Sequence, residues 1–110
     1  MIEQVFKLTA QNERLTEKVI GDDHIHYMHM IFNKGEGTPT HFTNATYVYM
    51  TVVRGRLSIN LGDQETAVYE AGTVLKIPFD TKMEATNQHD DQLELIVIKA
   101  PAPIAPVKKA

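Results

Sequence analysis

The side chains of this 110-residue chain that could transfer a proton or bind a transition metal are its five histidines. Histidine is the only residue whose unperturbed pKa lies close to neutral pH, and the neutral imidazole is the commonest metal ligand in proteins. The chain has no cysteine, which excludes a disulfide framework, a thiolate metal site and a cysteine nucleophile. General acid–base chemistry and metal binding through imidazole therefore depend on where these histidines lie.

The histidines are unevenly spread along the chain. His24, His26 and His29 lie within one short segment, where alternation would place the first two on one strand face and the third on the other. His41 stands alone after a glycine-containing turn, and His89 lies at a predicted hairpin tip.

Alternation of apolar and polar residues, rather than a helical period, dominates the chain from residue 24 onward. Strands are predicted for residues 24–32, 46–53, 57–61, 66–69, 73–77, 83–87 and 93–98. Between residues 9 and 20 two alternatives stay open, a helical turn over 10–15 or an edge strand over 15–20. Strands spaced roughly eight to twelve residues apart, with turn residues between them, predict an all-β antiparallel sandwich or barrel.

Residues 35–55 also follow the spacing of a known family motif. Gly35 is followed, after five residues, by His41, then by Thr43, Val48 and Gly55 at the intervals of the first cupin motif. The second motif is matched by Gly72, Pro78, Asp80, Met83 and Asn87. The chain therefore resembles the cupin superfamily, in particular its short single-domain bacterial members. The resemblance implies a double-stranded β-helix, a jelly-roll cupin barrel of antiparallel strands, usually assembled as a homodimer.

The chain departs from the metal-binding members of that superfamily at three positions. In those proteins the first motif supplies two histidines and a glutamate, and the second supplies a third histidine. Here His41 alone keeps its ligand type, and the other positions hold Thr43, Val48 and Met83. A divalent metal needs several nitrogen or charged oxygen donors that converge on it. We therefore predict no catalytic metal and no other cofactor.

The resemblance also indicates where a ligand would lie. Val48 occupies a lumen-facing ligand position, so alternation places Met50 in the lumen as well. His41, Thr43 and Met83 would project into the same space, and an apolar pocket with a few polar groups is typical of a small-molecule site. These five residues are the predicted ligand-binding set, with the ligand held near His41 and Thr43. The alternative is that the apolar members only fill a packed barrel core.

Three other functions stay open. His41 would be the catalytic general base of a metal-independent isomerase or lyase. If a histidine from segment 24–29 entered the lumen beside His41, Met50 or Met83 would complete a soft donor set. Such a set suits Cu(I) better than zinc, iron or manganese, and would make a metal-dependent, oxygenase-like cupin with a non-standard His/Met site. The last alternative is a structural or regulatory dimer whose lumen is only core.

Length and proline content predict how the chain is organised. It is long enough for one self-supporting domain. We predict an N-terminal arm or edge strand over 1–20, a cupin barrel over 21–100, and a proline-rich tail over 101–110 that is polyproline-like or mobile.

Charge and patterning limit the partners. A net charge of -3 gives no basic footprint for nucleic acid or an anionic membrane. No apolar run is long enough to span a membrane and no signal peptide is evident, which predicts a cytoplasmic protein. The strand face opposite the lumen needs a cover, which a homodimer would supply; it carries Tyr47, Tyr49, Thr51 and Val53.

Overall fold

The computed structural model describes residues 1–110 as ten strands in two five-stranded antiparallel sheets. The strands are β1 (Leu15–Gly21), β2 (His26–Asn33), β3 (His41–Phe42), β4 (Tyr47–Arg54), β5 (Arg56–Leu61), β6 (Ala67–Glu70), β7 (Val74–Pro78), β8 (Lys82–Thr86), β9 (Gln92–Ala100) and β10 (Lys108–Lys109). One sheet, with the longer strands, has the order β1-β2-β9-β4-β7 and is called the larger sheet. The other, with shorter strands, has the order β10-β3-β8-β5-β6. The all-β, antiparallel architecture expected from alternation is confirmed. No helix in the structure has the length and apolar character that a membrane crossing requires.

Each segment that alternation predicts to be a strand forms one, with ends that lie within about two residues of the expected bounds. The edge strand predicted over 15–20 forms as β1, and no helical turn forms over 10–15. Sequence patterning missed β3 and β10, because a strand of two residues is too short to show a period.

The core lies between the sheets, on the side that alternation predicts. Val48, Met50 and Val52 of β4 are almost completely buried, while Tyr47 and Val53 on the opposite face are exposed. On the neighbouring strand β9, alternate residues are buried in the same cluster: Leu93, Leu95 and Val97.

The tail differs from the expected polyproline-like or mobile segment. In β10, Lys108 pairs with Phe42 and Lys109 pairs with His41, which adds a strand to the open edge of β3. The side-chain amide of Asn44 donates a 2.8 Å hydrogen bond to the carbonyl oxygen of Ala105. Edge strands carry unpaired backbone groups, and the tail satisfies some of those of β3.

Two positions of the second motif serve backbone geometry rather than chemistry. Asp80 has a φ of 58°, a left-handed conformation that aspartate tolerates better than most residues do. The fully buried Asn87 donates hydrogen bonds to the carbonyl oxygens of Phe32 and Asp90 and accepts one from the amide of Asp90. These bonds close the turn between β8 and β9.

Candidate functional site

A cavity of about 310 Å³ opens in the lumen between the two sheets. The five residues predicted to bind a ligand all line it: His41, Thr43, Val48, Met50 and Met83. The rest of the wall comes from strands β2 and β9, from the loops before and after β3 and from the tail: Met30, Thr38, Pro39, Asn44, Val97, Lys99, Val107 and Lys109. Val48 and Met50 belong both to the packed core and to the cavity wall, so the lumen is filled at one end and open at the other.

His41 presents one free ring nitrogen. Its Nδ1 lies 2.7 Å from the carbonyl oxygen of Pro39, which can only accept a hydrogen bond, so Nδ1 carries the proton. Nε2 has no protein partner, and in the neutral ring it holds a lone pair. Strand β3, which carries His41, is held on one side by Met83 of β8 and on the other by Lys109 of β10.

Thr43 lines the cavity but already uses most of its polar capacity. Its hydroxyl donates to the carbonyl oxygen of Pro78 at 2.7 Å and accepts from the amide of Thr81 at 2.9 Å. A hydroxyl has a single proton to donate. Thr43 therefore connects the end of β3 to the turn after β7, and the free Nε2 of His41 is the more available polar atom.

The residues at the cupin metal positions do not fit a divalent metal. They offer one imidazole nitrogen from His41, a committed hydroxyl from Thr43, a hydrocarbon from Val48 and a thioether from Met83. Zinc, iron and manganese need several nitrogen or charged oxygen donors. No group of three or more histidine, aspartate or glutamate side chains in the structure is arranged so that it could hold a metal ion.

The histidines of segment 24–29 do not line the cavity. His29 is fully buried on the opposite face of the larger sheet, with Nδ1 2.7 Å from Glu17 and Nε2 2.6 Å from Glu94. Burial by itself would lower the pKa of His29, but the hydrogen bonds and charges of the two carboxylates outweigh burial and raise the pKa. With both ring nitrogens occupied, His29 cannot join His41 at a lumen metal site.

Lys99 is one of the cavity residues that sequence reasoning missed. It is partly buried, and its Nζ lies 3.0 Å from Oδ1 of Asn44. Burial lowers the pKa of Lys99, and the charge of Lys18 lowers it further. Alternation along β9 could have found it, because Lys99 follows Leu95 and Val97 on the lumen face.

No tyrosine stands beside His41 to act as a second acid. Tyr47 and Tyr49 lie on the outer face, where Nζ of Lys76 sits 4.1 Å from the centre of the Tyr47 ring. Tyr69 packs against the core, and Tyr27 does not line the cavity either. The other proton-transfer groups of the cavity wall are therefore two lysines, Lys99 and Lys109.

Comparison with known proteins shows the family. An uncharacterized protein of Methanocaldococcus jannaschii is 34% identical over 104 residues, which cover 94% of this chain and 89% of that protein. Its crystal structure, described as an RmlC-like cupin family protein with a double-stranded β-helix fold, superposes with a TM-score of 0.89 over 94% of both chains. This chain therefore belongs to the cupin superfamily, and the jelly-roll fold expected from the two motifs is confirmed. No family model matches the sequence.

More distant structures share the fold alone. A protein from Thermus thermophilus is 17% identical, with a TM-score of 0.73 over 86% of this chain and 89% of that one. The polyketide cyclase RemF from Streptomyces resistomycificus is 18% identical, with a TM-score of 0.75 over 96% of this chain and 86% of that one. Some cupin folds therefore belong to enzymes, and no specific activity follows for this chain.

Proposed function

We propose that this chain is a small-molecule-binding cupin that holds its ligand in the lumen beside His41 and has no divalent metal at the cupin positions. The observation that carries the proposal is the cavity itself, about 310 Å³, with the unpartnered Nε2 of His41 on an otherwise mostly apolar wall. Concave, largely apolar cavities with a few convergent polar atoms are the usual form of small-molecule sites.

We expect His41→Ala to weaken ligand binding about tenfold, because the ligand would lose one hydrogen bond in a poorly hydrated site. Titration calorimetry on chelator-treated protein, with a panel of compact and partly apolar organic molecules, measures this change. His89→Ala is the matched control, since His89 is exposed and outside the cavity. If no class of molecule binds the wild-type protein, the proposal fails.

A metal-independent isomerase or lyase is the second candidate, because one contact of His41 favours it. The Nδ1 bond to Pro39 leaves Nε2 as the basic atom, which is what a general base requires. Lys99 would be the partner acid, since it lines the same cavity. The metal-dependent, oxygenase-like alternative has weaker support, because the donors at the four cupin positions do not suit it.

The homodimer is also proposed, through the outer face of the larger sheet. Tyr47 and Val53 of β4 are 36% and 46% exposed, and Val74 of β7 is 62% exposed. We expect sedimentation equilibrium to give a dimer mass for the wild type and a lower mass for Val53→Lys, because a charge on this face would have to be desolvated. Val68→Lys, 49% exposed on the other sheet, should leave the mass unchanged. A monomeric wild type would contradict this part of the proposal.

A further inference from the structure

We infer that the ligand of the lumen cavity is a small organic monocarboxylate with an apolar body, and that Lys99 binds its carboxylate. This inference rests on the proposed function and specifies the chemical class of the ligand. Its observations are the charges around the cavity, the contacts of Lys99 and the nature of the walls.

The cavity wall is cationic and contains no acid. Two lysines, Lys99 and Lys109, line it, and no aspartate or glutamate does. The chain as a whole carries 14 acidic residues against 11 lysines and arginines. The chain is net acidic, whereas the cavity wall carries basic residues and no acid. The electrostatic potential inside the cavity therefore favours an anion.

Lys99 is a partly buried ammonium group without a counter-ion. Its Nζ contacts the amide oxygen of Asn44, and it takes part in no salt bridge, whereas Arg56 and Lys108 each pair with an aspartate. Asn44 is turned so that its NH₂ group donates to the tail at Ala105 and its oxygen faces Lys99. The amide orients the ammonium but does not neutralise it. A buried charge is costly unless it is paired, so a ligand carboxylate would supply the missing partner.

The neighbouring charge that acts on Lys99 is the positive charge of Lys18 on β1, and no carboxylate acts on it. His26 of β2 is the backbone partner of Lys99, and burial followed by the charges of Lys18 and Lys99 lowers the pKa of His26. The carboxylate whose charge acts on His26 is that of Asp22, and its Oδ1 already accepts hydrogen bonds from two backbone amides. No acid competes with a ligand for Lys99.

The remaining walls require an apolar body on the anion. Three thioethers and three valines form them: Met30, Met50, Met83, Val48, Val97 and Val107. Methionine side chains adapt to irregular apolar ligands. A strongly hydrated dianion such as phosphate would place charge against hydrocarbon, which is unfavourable, whereas a carboxylate on a hydrocarbon body matches both parts of the site.

The test compares acids with their neutral amides of the same shape. We use phenylacetate against phenylacetamide and 4-methylpentanoate against its amide, by titration calorimetry on chelator-treated full-length protein. We expect at least one acid to bind about tenfold more tightly than its amide, and Lys99→Met to abolish that preference without weakening the amide. Lys76→Met is the matched control, because it removes the same charge from the outer face and should keep the preference. Lys99→Gln serves as the second variant if Lys99→Met does not fold.

Each outcome decides the inference. If acids and amides bind alike and the Lys99 variants change neither, the carboxylate assignment is overturned and the lumen site stands. If inorganic phosphate binds more tightly than every acid in a Lys99-dependent way, the assignment is also overturned. If no acid or amide binds at all, the lumen site fails together with it.

Discussion

Gly55→Ala is expected to lower the free energy of unfolding by about 4 kcal/mol, because the added methyl group brings both backbone strain and a steric clash. Gly55 has a φ of 80°, a conformation that side chains rarely adopt. A Cβ at this position would lie 2.3 Å from the backbone carbonyl oxygen of Gln92 and 3.2 Å from Cα of Leu93. Those atoms belong to β9, the central strand of the larger sheet, and cannot move without disturbing their pairing with β2 and β4.

The control for Gly55→Ala is Gly62→Ala, which brings the backbone strain but no steric clash. Gly62 has a φ of 56°, and no atom lies within 4 Å of the added Cβ. Its expected cost is about 1 kcal/mol, that of a left-handed conformation alone. The free energies of unfolding of both variants, measured by urea denaturation, separate the backbone strain from the steric clash. If the two variants lose equal free energy of unfolding, the backbone of β9 does not lie as close to Gly55 as in the structure.

His29→Ala is expected to cost about 3 kcal/mol near pH 6, which corresponds to roughly 12 to 24 °C in Tm for a domain of this size. The variant leaves Glu17 and Glu94 facing each other without the buried imidazole between them. It also weakens the attachment of the N-terminal arm, since Glu17 accepts hydrogen bonds from the amide and hydroxyl of Thr9. His24→Ala, an exposed histidine nearby, is the control and should change stability little.

The cost of His29→Ala should fall as the pH rises. The pKa of His29 is raised above its ordinary value of 6.5, so its stabilising contribution is complete below that pH and is lost as the pH rises through the folded-state pKa. The hydrogen bond from His29, followed by those from Thr9, lowers the pKa of Glu17 below its ordinary 4.5. The stability that ionised Glu17 contributes is therefore lost only as the pH falls through this lowered pKa. Urea denaturation at about pH 6 and about pH 9 should show a smaller difference between wild type and variant at the higher pH. A cost independent of pH would mean that His29 acts by packing and not by charge.

Alternation predicted most of the barrel because burial of one strand face leaves a period of two in the sequence. It placed Val48 and Met50 on one face of β4 and Tyr47 on the other, and the cupin resemblance identified the first face as the lumen side, as observed. The same reasoning, carried to the end of β9, would have predicted Lys99 as a lumen residue.

Other features depend on contacts between distant residues that no local pattern records. Lys109 reaches the cavity only because the tail pairs with β3, across a separation of more than half the chain. His29 was predicted only to lie on the strand face opposite His24 and His26. Its partners, Glu17 and Glu94, lie 12 and 65 residues away, so no local pattern could predict this buried ion cluster. No local pattern records which ring nitrogen of His41 bonds to the carbonyl oxygen of Pro39, and this bond is what leaves Nε2 without a partner.

The most direct measurement of the lumen site uses the five methionines as reporters. Met30, Met50 and Met83 line the cavity, whereas Met28 is not among its lining residues and Met1 is fully exposed. In protein labelled with ¹³C at the methionine methyl groups, titration with phenylacetate should shift the resonances of the three cavity methionines along one saturating curve. The resonances of Met1 and Met28 should stay in place. If the cavity methionines do not respond, or Met1 alone shifts, phenylacetate does not enter the lumen and the proposed site is wrong.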